Sequence, residues 1–445
     1  MACYTVISNV KRKLSGNRFY ADSFWAVFGN GVGYGLLLLA GIVIARLLGK
    51  DIYGEYGMVK TTMFQLAAFS TLGLGYTSTK FIAEFATKDT RMLGSVVAAS
   101  LKITMAVSIV LALAIIIGAV PLARFLEDVR LVVPFRALGI IIVLRALATT
   151  QFGLLAGFGM FRVIAYSNMY SGIAMLVGCV PLTFYFGLSG ALASLAFSQV
   201  LIVVFNAWHI EARKRLFPPQ QSASFELRLI KFSIPVALQE FTFAMSSWAG
   251  ILMITKLSAI GEVGLFTAAG LWSAVILFVP SFLSNVMLSH LSAHLGDGQR
   301  QKADVAMMLR INFISTLLPF LLIYILSAWI VSFYGPTFTG LVPVMRILVC
   351  SAIFTCLSNV LSAELIAQGC TWALFSIRCV RDLLILTLGY AFIQMQGGVH
   401  AAQGYAWSTL LCSALFFGLL YGYYHFKIKR GMLSVSDGHG VGGEE

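Results

Sequence analysis

Ten ionisable side chains sit inside stretches that are otherwise apolar: Lys60, Lys102, Arg136, Arg145, Glu240, Arg346, Glu364, Arg378, Arg381 and Asp382. An ionised group at mid-bilayer costs at least about 2.5 kcal/mol, so each must face protein, water or the membrane interface. Seven of the ten are cations and three are anions. A cavity that gathered several of these cations would attract an anionic ligand such as a diphosphate. A carrier of organic cations would be expected to show the opposite balance.

Helical geometry separates the candidates. Arg136 and Arg145 are nine residues apart, which at about 100° per residue puts them on opposite sides of one helix. Arg136 lies near the end of its run, as does Arg346, and both fit snorkelling or helix-end anchoring. Arg145 is deeper and fits either a ligand contact or a pair with a neighbouring helix. Lys102 lies about 12 Å from its helix end, deep enough for a cavity and shallow enough to snorkel. Lys60 sits one turn from the end of its run, within reach of the interface. Arg378 and Asp382, spaced i, i+4, can neutralise one another, which leaves Arg381 as a cavity cation. The cationic candidates for substrate binding are therefore Arg145, Lys102, Arg381 and Lys60. Glu240 lies about 15 Å into its run, after Pro235 and among Gln239, Thr242, Ser246 and Ser247. Such a carboxylate suits a proton or sodium coupling site or a sugar hydroxyl, and equally a salt bridge to a cavity cation. With it go Asn30, which occupies the equivalent position in an internal repeat, and Asp382. Glu364, near the other end of its run, reads as interfacial. His290 and His294 lack companion ligands at metal spacing, and the seven cysteines form no CxxC pair, so no cofactor or metal is expected.

The elements that position these residues are membrane helices. With 59% hydrophobic and 11% charged residues, the chain is not a water-soluble domain. Spans fall at roughly 24–45, 57–77, 94–118, 131–155, 166–186 and 190–208, then 229–254, 264–288, 311–333, 341–366, 377–394 and 400–424. The first run is too long for a cleaved signal peptide and lacks an Ala-x-Ala exit, so it reads as a retained span. The stretch ARLLGKDIYGEYG (45–57) returns in worn form as TKLSAIGEVGLFT (255–267), an offset of 210 residues. Arg136 with Arg346, Leu138 with Leu348, and Gly187 with Gly397 share that offset. One six-helix unit is written twice. The expected division is a bundle over 1–208, a polar linker over 209–228, a second bundle over 229–426 and a tail over 427–445.

Orientation follows from Lys and Arg in alternate loops: nineteen fall on one side and five on the other. The richer side is cytoplasmic, which places both termini there and explains the net charge of +13 without nucleic acid. An even number of spans per repeat makes the two repeats parallel, about an axis along the membrane normal with a central cavity between them. The expected fold is an all-α polytopic membrane protein of about twelve transmembrane helices in two parallel six-helix repeats.

ARLLG…YGEYG after the first span, GLGYTSTKFIAEF ending the second, LLAGFGMFR after the fourth, IKFSIPVAL opening the seventh and VPVMRIL opening the tenth together resemble the polysaccharide or O-antigen flippases. That family belongs to the larger group that also holds multidrug antiporters and the lipid II flippase. The resemblance covers nearly the whole chain. It implies translocation of an undecaprenyl-diphosphate-linked oligosaccharide from the cytoplasmic to the outer leaflet of the cell inner membrane. The partners it implies are membrane lipids, a coupling proton or sodium ion, and polysaccharide polymerase machinery. The chain stops at twelve spans, whereas some relatives carry two more. A multidrug or organic-cation antiporter shares the fold. A membrane glycan polymerase would need a sizeable aqueous loop or a carboxylate constellation, and every outer loop here is about a dozen residues or shorter.

Overall fold

The structure, a computed structural model, describes residues 16–429 except 89, 126–128, 215–216, 218–222, 294–297, 369 and 397. Side chains are described over a smaller set, which leaves out residues 16–28, Glu240 and 281–301 among others. The described residues form α-helices joined by turns and two short 3-10 segments, with no strand among them. In chain order the helices are α1 (Gly16–Ser70), α2 (Leu74–Lys88), α3 (Leu93–Phe125), α4 (Val132–Gly157), α5 (Phe161–Lys214), α6 (Ala223–Leu257), α7 (Ile260–Ala293), α8 (Gly298–Ser332), α9 (Leu341–Ala367), α10 (Thr371–Met395) and α11 (Ala401–Lys429).

Among the described residues, eight helices are long and apolar enough to cross a bilayer. Two of these stretches, Gly29–Ser70 in α1 and Phe161–Arg213 in α5, run 42 and 53 residues. At 1.5 Å per residue they are about 60 and 80 Å long, at least twice the hydrocarbon thickness. Each is interrupted by a glycine in non-helical backbone, Gly49 (φ 73°, ψ 169°) and Gly187 (φ 56°, ψ −132°). The chain turns back at Gly187, because a Cβ on Gly190 would strike the Leu182 carbonyl. Each of these helices therefore carries two passes. Two further helices complete the set: α6, whose apolar stretch Phe241–Leu257 is shorter, and α10, which carries Arg378, Arg381 and Asp382. The protein is an all-α polytopic membrane protein of about twelve passes.

The second pass departs from the continuous span expected over 57–77. It breaks at Thr71–Gly73, where Leu72 (φ 47°) and Gly73 (φ 71°) take left-handed backbone between α1 and α2. The freed amides are recaptured locally: Leu72 N–H donates to the Phe69 carbonyl at 2.9 Å and Leu74 N–H to the Thr71 carbonyl at 2.8 Å. A bilayer demands this, since no water is available there to satisfy them.

The chain divides into two compact units: Met1–Ala268 with Phe333–Phe338, and Ala269–Ser332 with Thr339–Glu445. In the first, Leu74, Ile82, Val96, Leu154 and Ile210 form a buried cluster. Helices there are also tied by short polar contacts: Ser78 donates to Ser100 at 2.9 Å, Thr79 to the Gly153 carbonyl at 2.8 Å, and Ser233 to Thr77 at 2.9 Å. Small residues permit the close approach that such bonds need. Tyr53 also packs its ring on Tyr56 (5.7 Å) and on Phe338 (5.9 Å), which in turn meets Tyr334 (5.3 Å). In the second unit Val305, Leu361, Leu365, Phe416 and Leu420 form the corresponding core.

Candidate functional site

The first unit brings two of the predicted cations to one place. After the break at Gly49, α1 carries Tyr56, Lys60 and Phe64 at successive i, i+4 positions, so they share one face of the helix. Lys60 Nζ lies 5.9 Å from the Tyr56 ring centre, and Arg145 Cζ of α4 lies 4.6 Å from that of Phe64. Both cations are therefore held over aromatic faces, which attract positive charge while leaving the N–H donors free to bind elsewhere. Neither has a carboxylate within ion-pair distance among the described residues. Tyr34, on the first pass of α1, lies within electrostatic reach of Arg145. Tyr34 and Phe64 are 57% and 40% exposed, so this cluster opens outward and is not sealed in the core.

One turn from Tyr34 on the same face of α1 is Asn30, which is buried and accepts a 2.5 Å hydrogen bond from Asn168 Nδ2 on α5. A polar and aromatic track thus runs from Asn168 and Asn30 through Tyr34 and Arg145 to Phe64 and Lys60, all within the first unit. The opposite face of that part of α1 meets α6: Gln65 donates to Ser247 at 2.8 Å and the Trp248 indole to Thr62 at 3.2 Å. The sequence reading missed Phe64 and Tyr34, because aromatic residues in an apolar run carry no signal of their own. Only their i, i+4 spacing from Lys60 and Asn30 marks them.

The other candidates lie elsewhere. Lys102 is exposed on α3, and Arg136 is exposed on α4, away from Arg145 as the nine-residue spacing requires. Glu240 stands on α6 with its side chain outside the described residues. His290 and His294 are likewise outside them. In the second unit Asp382 does pair, but with Arg381: Arg381 Nε and Nη2 donate to Asp382 Oδ1 at 2.8 and 2.6 Å. This corrects the expectation that Arg378 would take the carboxylate and leave Arg381 over. The guanidinium is long enough to fold back onto its chain neighbour while its Cζ sits 4.7 Å from the Phe416 ring centre. Glu364 is also corrected. It is fully buried and accepts a hydrogen bond from Gln368, because α11 covers this part of α9 with Phe416, Leu420 and Tyr424. Among the described residues no three or more His, Cys, Asp or Glu gather in a group able to hold a metal ion.

Arg346 does more than anchor a helix end. Its Nε donates to Ser327 Oγ at 2.8 Å, its Cζ lies 5.1 Å from the Tyr324 ring centre, and it lines a cavity of about 330 Å³ inside the second unit.

Comparison with known proteins fits this architecture. A curated relative, an EPS I polysaccharide export inner membrane protein of Ralstonia solanacearum, is 25% identical over 209 residues, covering 45% of this chain and 47% of its own length. The chain thus spans about half the length of the curated relatives it matches. Among solved structures, the inward-facing conformation of a multidrug resistance MATE family transporter of the MOP superfamily aligns with a TM-score of 0.75 at 15% identity, over 92% of this chain and 99% of that one. A MOP superfamily transporter from Pyrococcus furiosus aligns with a TM-score of 0.66 at 14% identity, over 93% and 96%. At such identity the likeness is one of fold. The family itself comes from the sequence: residues 19–290 match the polysaccharide biosynthesis protein family, more than half the chain, and the protein belongs to that family.

Proposed function

We propose that the chain is a flippase that carries an undecaprenyl-diphosphate-linked oligosaccharide from the cytoplasmic to the outer leaflet of the cell inner membrane. The observation that carries this reading is the pair Lys60 and Arg145, two intramembrane cations set over aromatic rings with no carboxylate partner among the described residues. Cations held this way suit a diphosphate, and the exposed rings of Tyr34 and Phe64 suit the sugars that follow it. Family membership and the export role in the relative's name support the same substrate class.

On this reading the two six-helix halves, 1–208 and 229–426, rock about the 209–228 linker and expose a cationic cavity first inward and then outward, with both termini and the 427–445 tail cytoplasmic. The diphosphate and sugars cross inside while the polyprenyl tail stays in lipid. Moving negative charge outward down an inside-negative potential releases about 2.3 kcal/mol per charge per 100 mV. Lys102, exposed on α3, adds positive charge to the route, whereas Arg381 is neutralised by Asp382. Glu240, Asn30 and Asp382 are the positions for a coupling proton or sodium ion or for sugar hydroxyls. The polysaccharide polymerase machinery takes the delivered unit.

The test is a strain lacking the protein, scored for surface polysaccharide and for lipid-linked repeat units retained on the inner leaflet, with Arg145→Ala, Lys60→Ala and Glu240→Ala complements. Lost surface glycan with accumulated inward-facing precursor is expected for the deletion and for Arg145→Ala. Normal glycan with altered drug or cation sensitivity would sink the flippase in favour of the antiporter whose fold the chain shares.

A further inference from the structure

The cavity beside Arg346 belongs wholly to the second unit and is built from three helices distant in sequence. Arg346 and Ile347 come from α9, Tyr324 from α8, and Gln403, Trp407 and Leu410 from α11. All lie within about 15 Å of the helix ends where α8 closes and α9 and α11 open, counted at 1.5 Å per residue. Arg346 itself is five residues, or about 8 Å, into α9, close to the thickness of one headgroup layer, while Tyr324 and Leu410 reach further into the hydrocarbon. Tyr324 and Trp407 are 38% and 41% exposed, so the cavity mouth is open.

The guanidinium is fixed before any ligand arrives. Its Nε is committed to Ser327 Oγ at 2.8 Å and its Cζ lies over the Tyr324 ring, 5.1 Å from the ring centre. These contacts leave the terminal Nη donors, which bind a phosphate in the forked geometry that arginine favours. No carboxylate lies within ion-pair distance of Arg346 among the described residues. Gln403 adds a neutral polar group, and Ile347 and Leu410 make an apolar wall. One cation, one amide, an aromatic rim and an apolar wall suit a single phosphate attached to something greasy. A soluble polyanion would call for more charge and less hydrocarbon.

We propose that this cavity binds the phosphate headgroup of an anionic phospholipid from the surrounding bilayer, with Arg346 as its anchor. The inference is independent of the transported substrate, since it rests on a cavity inside one unit. A pre-fixed arginine at headgroup depth gains the ligand's full charge without first ordering its own side chain.

Native mass spectrometry of the full chain in detergent tests it, with phosphatidylglycerol, phosphatidylcholine, undecaprenyl phosphate and inorganic phosphate as separate probes. Wild-type protein is expected to retain one phosphatidylglycerol at least fivefold more tightly than phosphatidylcholine. Arg346→Gln is expected to weaken it about tenfold or more, the order of one charge-assisted hydrogen bond. Cys350→Phe, which narrows the same cavity without altering charge, is expected to do likewise. Equal retention of the two phospholipids by wild type overturns the proposal, and that arm needs no variant to fold. Retention unchanged in both variants overturns it too. Selective displacement by undecaprenyl phosphate would make the cavity part of the transport route, and displacement by millimolar inorganic phosphate would make it a site for a soluble anion; either result rejects the bilayer lipid.

Discussion

Gly54 of α1 and Gly264 of α7 meet backbone to backbone, each where a side chain would drive into the other's helix. A Cβ on Gly54 would strike the Ile260 carbonyl, and one on Gly264 would strike the Lys50 carbonyl. Ile260 stands 210 residues after Lys50 and Gly264 the same distance after Gly54, so the two clashes are one contact seen from its two sides. Gly57 lies against Thr267 and Gly261 against Asp51, again at that offset. The reciprocity extends outward: Lys256 Nζ donates to the Phe125 carbonyl at 3.1 Å, and the Cβ position of Gly335 lies 3.9 Å from Cγ of Arg46. The two stretches that share the 210-residue offset thus pack on each other through matched contacts within the first unit.

Gly54→Ala and Gly264→Ala are therefore expected to have matching effects. Overpacking a tight contact costs about 1–3 kcal/mol. Each variant should lower the melting temperature of the detergent-purified protein and reduce surface polysaccharide in the complemented deletion strain, to the same degree as the other. A large loss in one with none in the other would break the proposed equivalence.

Arg145→Lys keeps the charge but loses the guanidinium that sits over Phe64, while Arg145→Gln loses both. Removing a charge-assisted hydrogen bond costs about 1.5–3 kcal/mol, or roughly ten- to hundredfold in ligand affinity. Export measured by surface glycan per cell should fall in the order wild type, Lys, Gln. Phe64→Leu should resemble Arg145→Lys, because it removes the surface on which the guanidinium rests.

The pair Arg381 and Asp382 is mostly shielded from solvent, with side-chain exposures of 19% and 7%. Breaking a buried pair strands one charge and costs about 3–5 kcal/mol, whereas replacing both partners is often close to neutral. Arg381→Met and Asp382→Leu should each lower the melting temperature sharply, and the double variant should recover most of the loss. Export by the double variant then separates a packing role from a substrate or coupling role, since stability is restored while both charges are gone.

Asn30→Leu should destabilise by about 1–3 kcal/mol, because the Asn168 amide would lose its carbonyl partner in a buried place. Thermal melts of Asn30→Leu and Asn30→Asp at neutral pH check this. If Asn30 serves only packing, a sodium or pH titration of export should be unchanged in shape.

Much of this was legible in the chain. The apolar runs give the passes, and the 210-residue offset marks Gly54 and Gly264 as equivalent positions, but that the two glycines touch comes only from the structure. The nine-residue spacing of Arg136 and Arg145 gives their opposite exposures. What failed was azimuth against unseen neighbours. Glu364 has the axial position of an interfacial acid, but its burial depends on Phe416 and Tyr424, half a hundred residues on. The i, i+4 rule chose Arg378 for Asp382 because it scores side-chain spacing and ignores how far an arginine can fold back. The cavity at Arg346 draws on three helices whose meeting no local pattern announces.

The six residues Phe333–Phe338 belong to the first compact unit, with Phe338 edge-on to Tyr53 and Tyr334 tilted against Phe338. A short loop from late in the chain is thus part of the compact unit built by residues 1–268. A recombination event in the 209–228 linker that joined front and back halves from different relatives would deliver a foreign Phe338 to a resident Tyr53. Chimeras of this family should therefore keep function when that loop and the ARLLG…YGEYG turn come from one parent, with the exchange point before the turn or after the loop and not between them.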